Sequence, residues 1–171
     1  MVTGDRLSAI MCLVVGLMVA TPGCVSAQPP QFPDLSHFTE TDVSGIRRNN
    51  QTGAFASASF NTPDGLHCNA STSTGGCWAS GPAAIPGFPE DAPSWPPNSV
   101  QQCPSQAVVF DANPGRFRTQ TNCSGGSSPV LPVGQKVTVG TVVCAVGDDD
   151  LTACTNGVHG FVVQTAGSWT F

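Results

Sequence analysis

The amino-acid sequence predicts a mainly β protein, a small antiparallel β-sandwich or barrel-like domain of short hairpins stapled by three disulfides. Glycine and proline number 19 and 15, and they interrupt helical patterns along the whole chain. Between them, short segments alternate apolar and polar side chains, as strands with one buried face do. Of the eight cysteines, six lie beyond residue 27, an even set that favours disulfide pairing in an exported protein.

Residues 1–27 are predicted to be a signal peptide. Arg6 precedes an apolar run over residues 7–20 that is short for a bilayer span, and Pro22 then breaks the run. The small residues before Gln28 fit signal-peptidase cleavage, which would make Gln28 the first residue of a secreted protein. Because no second apolar run follows, no transmembrane segment is expected after signal removal.

Lipidation at Cys24 is the alternative to simple secretion. Gly23 and Cys24 stand where a bacterial lipoprotein carries its lipid-modified cysteine, although Pro22 does not fit the usual motif. The protein would then be anchored to the outer face of the membrane. The sequence leaves both processing routes open.

Residues 28–50 are predicted to form a flexible, proline-rich segment that leads into a single β-domain over residues 51–171. This segment sustains neither a strand period nor a helix period. Phe32, Leu35 and Phe38 could instead dock on the domain as an arm, and the sequence leaves this choice open.

The clearest hairpin surrounds the turn Asp148-Asp149-Asp150. Cys144 and Cys154 are equally distant along the chain from the centre of this turn, so antiparallel pairing places them opposite each other. Directly opposite residues bring their Cα atoms to about 4.5 Å, a separation that a disulfide accepts. A Cys144–Cys154 bridge is therefore predicted.

An earlier hairpin is predicted around Thr62-Pro63-Asp64-Gly65, which has the residues of a type I turn. The alternating segment before the turn forms one strand, and its partner starts so that Phe60 faces Leu66. A third strand near residues 76–79 would return Cys77 to Cys68, which predicts a second bridge.

A third hairpin is predicted to pair residues 106–110 with residues 116–120, and its register places Cys103 opposite Cys123. Two sets of side chains then occupy opposite faces. The cysteine face has Ala107, Val109, Phe117 and Thr119, and the other face has Gln106, Arg116, Arg118 and Gln120.

The proline-rich residues 81–104 cannot donate a regular hydrogen-bond ladder, so a long surface loop is expected. Phe88 and Trp95 are expected to pin this loop to the core. Residues 136–146 are predicted to form one strand with a bulge or bend at Gly140. The last strands are expected at residues 161–164 and 168–171.

Charge and motifs exclude several classes of function. The formal net charge is −5 and Lys136 is the only lysine, which argues against a nucleic-acid partner and against acidic membranes. Because the chain has no phosphate-binding glycine loop, nucleophile elbow or zinc-protease motif, no cofactor, metal or catalytic residue is predicted. Glu90 and Asp91 are adjacent on a loop, an arrangement that does not suit a glycosidase pair.

His159 is the strongest single candidate for chemistry. It follows Cys154 closely, but a cysteine in a disulfide offers no thiolate for a histidine to activate, so a ring that caps a turn is expected. The cysteine spacing does not suit zinc. Asp148-Asp149-Asp150 could hold Ca²⁺, yet it lacks the ligand spacing of a dedicated loop, and an exposed hairpin tip is expected.

Residues 55–171 contain a series of short motifs. They are Phe60-x-Thr-Pro-Asp-Gly65-x-x-Cys68, Cys77-Trp78, Leu131-Pro132-x-Gly134, Val139-Gly140, Cys144, Cys154-Thr155-Asn156 and His159-Gly160-Phe161. This series resembles an uncharacterised family of actinobacterial secreted proteins and lipoproteins. The resemblance implies an exported β fold and supplies no mechanism, and Val158 departs from the glycine expected before His-Gly-Phe.

These observations predict a secreted or cell-envelope protein without enzymatic activity. One alternative is an extracellular binding module that uses Trp78, Trp95 and His159 to hold a glycan, a lipid or a protein partner. The other is a hydrolase whose site joins His159 to an acid and a hydroxyl only in the folded chain.

Overall fold

A computed structural model describes residues 31–42, 56–79, 83–96, 104–121 and 127–171 of the chain. Within these ranges the protein is mainly β, as predicted, and its one helical element is the short 3-10 helix Leu35–His37. No helix among them is long and apolar enough to cross a bilayer. The predicted signal peptide, Cys24, Cys103 and Cys123 lie outside the described residues.

The described strands form two six-stranded sheets. The strands are β1 Thr39–Glu40, β2 Ser57–Asn61, β3 Leu66–Ser71, β4 Gly75–Ala79, β5 Ser94–Trp95, β6 Pro104–Phe110, β7 Arg116–Thr121, β8 Gln135–Val139, β9 Val142–Val146, β10 Thr152–Thr155, β11 Gly160–Val163 and β12 Trp169–Thr170. Sheet A has the spatial order β1-β8-β9-β10-β11-β12, and sheet B has the order β2-β3-β4-β6-β7-β5.

Both sheets are mixed rather than purely antiparallel. The edge strand β1 runs parallel to β8, and the edge strand β5 runs parallel to β7, whereas the other pairings are antiparallel. Both parallel strands come from segments that the sequence predicts to be irregular. They form because the edges of β7 and β8 have free backbone groups for an adjoining chain segment to pair with.

The core lies between the inner faces of the two sheets, where apolar side chains from both are buried together. Two cross-strand disulfides cross-link this layer as predicted: Cys68–Cys77 joins β3 to β4, and Cys144–Cys154 joins β9 to β10, each with Cα atoms 4.1 Å apart. The largest fully buried apolar side chains are Phe60, Phe110, Phe161, Leu66, Leu131, Val108, Val137, Val142, Val146, Val162 and Val163.

The turn before β3 forms as predicted, but the predicted register is wrong by two residues. The Gly65 amide donates to the Thr62 carbonyl over 3.1 Å, which closes the turn. Gly65 has φ +93°, so it forms a bulge after the turn and Thr62 becomes the partner of Leu66. Phe60 therefore faces Cys68.

The register predicted for β6 and β7 is wrong by one residue. Val108, rather than Val109, faces Phe117, and Val109 faces Arg116. The inner face of β6 carries Val108 and Phe110, and the Phe110 ring lies 5.9 Å from that of Phe161. Since side chains alternate along a strand, burying Phe110 turns the other residue set of β6 outward.

Gly140 lies in a tight hairpin turn and not in a bulge within one long strand. Val139 and Val142 are paired, so Gly140 and Thr141 form a two-residue connection between β8 and β9. Gly140 has φ +60°, a conformation that suits glycine in such turns. The Thr141 amide also donates to the Thr72 carbonyl over 3.1 Å, which ties this turn to sheet B.

Residues 31–42 dock on sheet A as an arm. The Phe32 ring meets the Phe171 ring at 5.2 Å beside one edge of the sheet, and β1 pairs with β8 at the other edge. Between these points, Nζ of Lys136 donates to the Leu35 carbonyl over 2.8 Å. The arm thus crosses the outer face of sheet A, where Val162 is fully buried.

The proline-rich segment packs against sheet B through Ile85 and Phe88. The Ile85 amide donates to Gln106 Oε1 over 2.7 Å, and the Phe88 ring lies 5.8 Å from that of Phe117. The expectation that Trp95 pins the loop to the core is wrong, since 52% of its surface is exposed. Its backbone pairs with β7 instead, so the segment supplies an edge strand as well as a loop.

Candidate functional site

The outer face of sheet B brings together side chains from four strands. Trp78 on β4 is the cross-strand neighbour of Ala107 on β6, which is in turn the neighbour of Arg118 on β7. Trp95 on β5 follows in the same direction, and its ring centre lies 5.3 Å from the guanidinium carbon of Arg118. Both tryptophans proposed as binding residues therefore share one sheet face, on either side of an arginine.

A groove of about 280 Å³ runs across this face. We call it the sheet B groove. Two of its lining residues, Gly75 and Gly76 on β4, have no side chain to fill it. Its lining residues are Asn69, Thr74, Gly75, Gly76, Trp78, Val109, Phe110, Asp111, Arg116 and Arg118.

Arg116 is paired with Asp111 at one end of the groove. Nη2 of Arg116 donates to Oδ2 of Asp111 over 2.7 Å, and the Asn113 amide donates to Oδ1 over 2.8 Å. These hydrogen bonds, that of the guanidinium first, hold the pKa of Asp111 well below its usual range. Asp111 is therefore ionised at neutral pH and is the counter-ion of Arg116.

Arg118 is not neutralised in this way. Its Nε and Nη2 both donate to Oε1 of Gln120, over 3.2 and 3.0 Å, and that acceptor is uncharged. Among the described residues, no carboxylate forms an ion pair with Arg118. Partial burial, followed by the neighbouring charge of Arg116, lowers the pKa of Arg118, but a guanidinium stays protonated at neutral pH.

Trp78, on the same sheet face, carries a hydrogen-bond donor with no partner among the described residues. Its Nε1 is buried, and no acceptor among the described residues reaches it. The ring packs on His67 with centres 4.6 Å apart, and His67 Nδ1 lies 2.7 Å from Asn61 Oδ1. An unpaired buried donor costs about 1–3 kcal/mol.

His159 lies elsewhere, in the turn between β10 and β11 of sheet A. The turn is capped by the backbone of His159, whose amide donates to Asn156 Oδ1 over 2.8 Å and whose carbonyl accepts from the Asn156 amide over 3.0 Å. The sequence predicts a cap by the His159 ring, whereas these hydrogen bonds are made by its backbone. His159 thus belongs to sheet A, whereas Trp78 and Trp95 belong to sheet B.

The acidic side chains of the described residues do not form a metal-binding cluster. Asp149 and Asp150 have left-handed backbone conformations, with φ +56° and +57°, at the exposed tip between β9 and β10. In the described parts of the chain, no group of three or more histidine, cysteine, aspartate or glutamate side chains is placed to hold a metal ion.

Sequence reasoning singled out the two tryptophans and missed the arginine between them. It did place Arg116, Arg118 and Gln120 on one face, because they alternate along β7. It could not assign Trp95 to that face, because a proline-rich loop was expected there and not a strand paired with β7.

Comparison of this chain with protein-family models, with curated proteins and with solved structures finds no match.

Proposed function

We propose that this chain is an exported, non-enzymatic binding module that holds a saccharide on the outer face of sheet B, in the sheet B groove and against the Trp95 ring beside Arg118. The observation that carries the proposal is the placement of Trp78, Trp95 and Arg118 together on one sheet face. Tryptophan offers a flat apolar surface to the C–H face of a sugar ring. Arginine, asparagine and glutamine side chains beside it can hydrogen-bond to sugar hydroxyls.

A saccharide suits this face better than a lipid. Lipid tails need an enclosed apolar cavity, whereas the sheet B groove is open and is lined by Arg116, Arg118, Asp111 and Asn69. Exposed aromatic surface next to fixed polar groups is the pattern of a site that recognises a ligand both apolar and rich in hydroxyls.

Export is supported by the leader-like residues 1–27 and by the two disulfides, which persist in oxidising compartments. In this proposal the protein is released after cleavage before Gln28, or is held at the outer face of the membrane through Cys24. The motif resemblance to actinobacterial secreted proteins agrees with a role at the cell envelope.

A glycan array probed with the purified protein tests the proposal, followed by titration of each hit with tryptophan fluorescence as the signal. Trp95→Ala should weaken binding at least about tenfold, because the exposed indole supplies the stacking surface. Trp169→Phe is the matched control, since Trp169 lies on sheet A. Binding that is equally strong in Trp95→Ala and in the native protein would refute the proposed site.

A further inference from the structure

We infer that the saccharide bound by this groove is acidic, and that its carboxylate pairs with Arg118. The inference rests on the proposed saccharide site and adds the chemical class of its ligand. It also assigns to Arg118 the role of selecting that class.

The first argument is the local charge. The chain carries a net charge of −5, yet the sheet B groove is lined by two guanidinium groups and one carboxylate. Asp111 is committed to Arg116 through hydrogen bonds of 2.7 and 3.5 Å. Arg118 therefore leaves one positive charge in the groove without a counter-ion among the described residues.

The second argument is the geometry of the guanidinium. Nε and Nη2 of Arg118 form the edge that binds a carboxylate through two parallel hydrogen bonds, and at present both point to the single oxygen Oε1 of Gln120. A neutral amide oxygen is a weaker acceptor than a carboxylate oxygen. A carboxylate can therefore replace Oε1, and the Gln120 side chain can then turn its amide to a neighbouring hydroxyl.

The third argument is the distance between the apolar and charged parts of the site. The guanidinium carbon of Arg118 lies 5.3 Å from the ring centre of Trp95, which is 52% exposed. In a uronic acid the carboxylate is attached directly to the sugar ring. One sugar unit can thus pack on the exposed part of the indole and place its carboxylate at Arg118.

The indole of Trp95 and the charge of Arg118 together favour one class of ligand. A simple anion would gain nothing from the indole, and a neutral sugar would leave the charge of Arg118 partly desolvated and unpaired. The combination favours a ligand that carries both a pyranose ring and a carboxylate.

The test compares two probes of the same linkage and length, an oligomer of β-linked glucuronic acid and an oligomer of β-linked glucose, by isothermal titration calorimetry at low salt. The acidic oligomer should bind at least about tenfold more tightly, as expected for hydrogen bonds to a charged group. Arg118→Gln should abolish this preference. Arg118→Lys should keep part of this preference, because the positive charge remains although the pair of parallel hydrogen-bond donors is lost.

Lys136→Gln is the control for charge, since it removes one positive charge from sheet A, and it should retain the preference. Near-ultraviolet circular dichroism checks that each variant is folded. Equal affinity for both oligomers, or tighter binding of the glucose oligomer, would overturn the inference and leave the saccharide site standing. A preference that survives in Arg118→Gln would overturn the role of Arg118. Failure of both oligomers to bind would overturn the inference and the proposed function together.

Discussion

The guanidinium of Arg118 lies over the ring of Trp95, 5.3 Å from its centre, and this contact attaches the proline-rich segment to the body of sheet B. The two residues are joined on the backbone side as well, because Trp95 pairs with Gln120 on the same strand as Arg118. An exposed cation–π contact is worth about 0.5–1 kcal/mol. It can orient a side chain without being essential to the fold.

Trp95→Ala should therefore lower the free energy of unfolding by no more than about 1 kcal/mol. The expected loss is small because half of the indole is already in water. Chemical denaturation followed by far-ultraviolet circular dichroism measures it, and Trp95→Phe, which keeps an aromatic face, should lose less. A loss of several kcal/mol would mean that Trp95 is a structural anchor. The effect of Trp95→Ala on saccharide binding could then result from a destabilised fold.

Replacing Cys144 and Cys154 together by alanine should lower the free energy of unfolding by about 3 kcal/mol, from the entropy of closing a short loop. The same is expected for Cys68 and Cys77, since the two bridges span similar separations of 10 and 9 residues. Denaturant titration of each double variant measures the loss.

Peptide mapping without reduction checks the pairing directly. It should recover one peptide that joins Cys68 to Cys77 and another that joins Cys144 to Cys154. The Cys103–Cys123 bridge stays a prediction, and a peptide joining either of these cysteines to a different partner would contradict it.

Val108→Ala should cost about 2 kcal/mol and Val109→Ala less than about 1 kcal/mol. Val108 is fully buried in the core, whereas Val109 is half-buried and lines the sheet B groove. The two substitutions remove the same atoms from adjacent residues, so each is the control for the other. Equal losses, or a larger loss at Val109, would favour the register in which Val109 faces the core.

Gly140→Ala should destabilise the protein more than Gly134→Ala. Both glycines have positive φ, +60° and +80°, so alanine is strained at either position by about 1–2 kcal/mol. A Cβ atom at Gly140 would also lie 2.6 Å from the Thr72 carbonyl oxygen, whereas at Gly134 it would meet nothing within 4 Å. Thermal melting of the two variants should separate the steric cost from the conformational one, and identical melting points would show that the turn moves away from Thr72 freely.

Asp111 should make the stability of the folded protein depend on pH in the acidic range. Its pKa in the folded protein is held below the ordinary value of 3.8. The pairing of Asp111 with Arg116 therefore stabilises the fold above about pH 3.8, and this stabilisation decreases as the pH falls further. Melting temperatures measured from about pH 6 to about pH 2 should fall less steeply in Asp111→Asn than in the native protein. A native slope in Asp111→Asn would show that the pair contributes nothing. The effect should be modest, since the two side chains are 35% and 41% exposed.

The features that could be predicted depend on residues close together in the chain. Cys144 meets Cys154, and Cys77 meets Cys68, because each pair lies on neighbouring strands joined by a short turn. The alternation of Ala58 and Phe60 with serine residues identified the strand Ser57–Asn61, in which both apolar side chains are fully buried. The residues of Thr62-Pro63-Asp64-Gly65 predicted their turn, because proline and glycine restrict or extend the allowed backbone angles locally.

The features that depend on residues distant in the chain arise only when the two sheets form and pack together. The choice between Val108 and Val109 for the core was made by the fit of Phe110 against Phe161, a contact between the two sheets. The arm with Phe32 docks on sheet A, and Trp95 joins β7, because open sheet edges accept backbone partners from any part of the chain. The sheet B groove therefore exists only in the folded protein. Trp78, Trp95 and Arg118 come from separate segments, and cross-strand pairing, which local sequence does not encode, places them side by side.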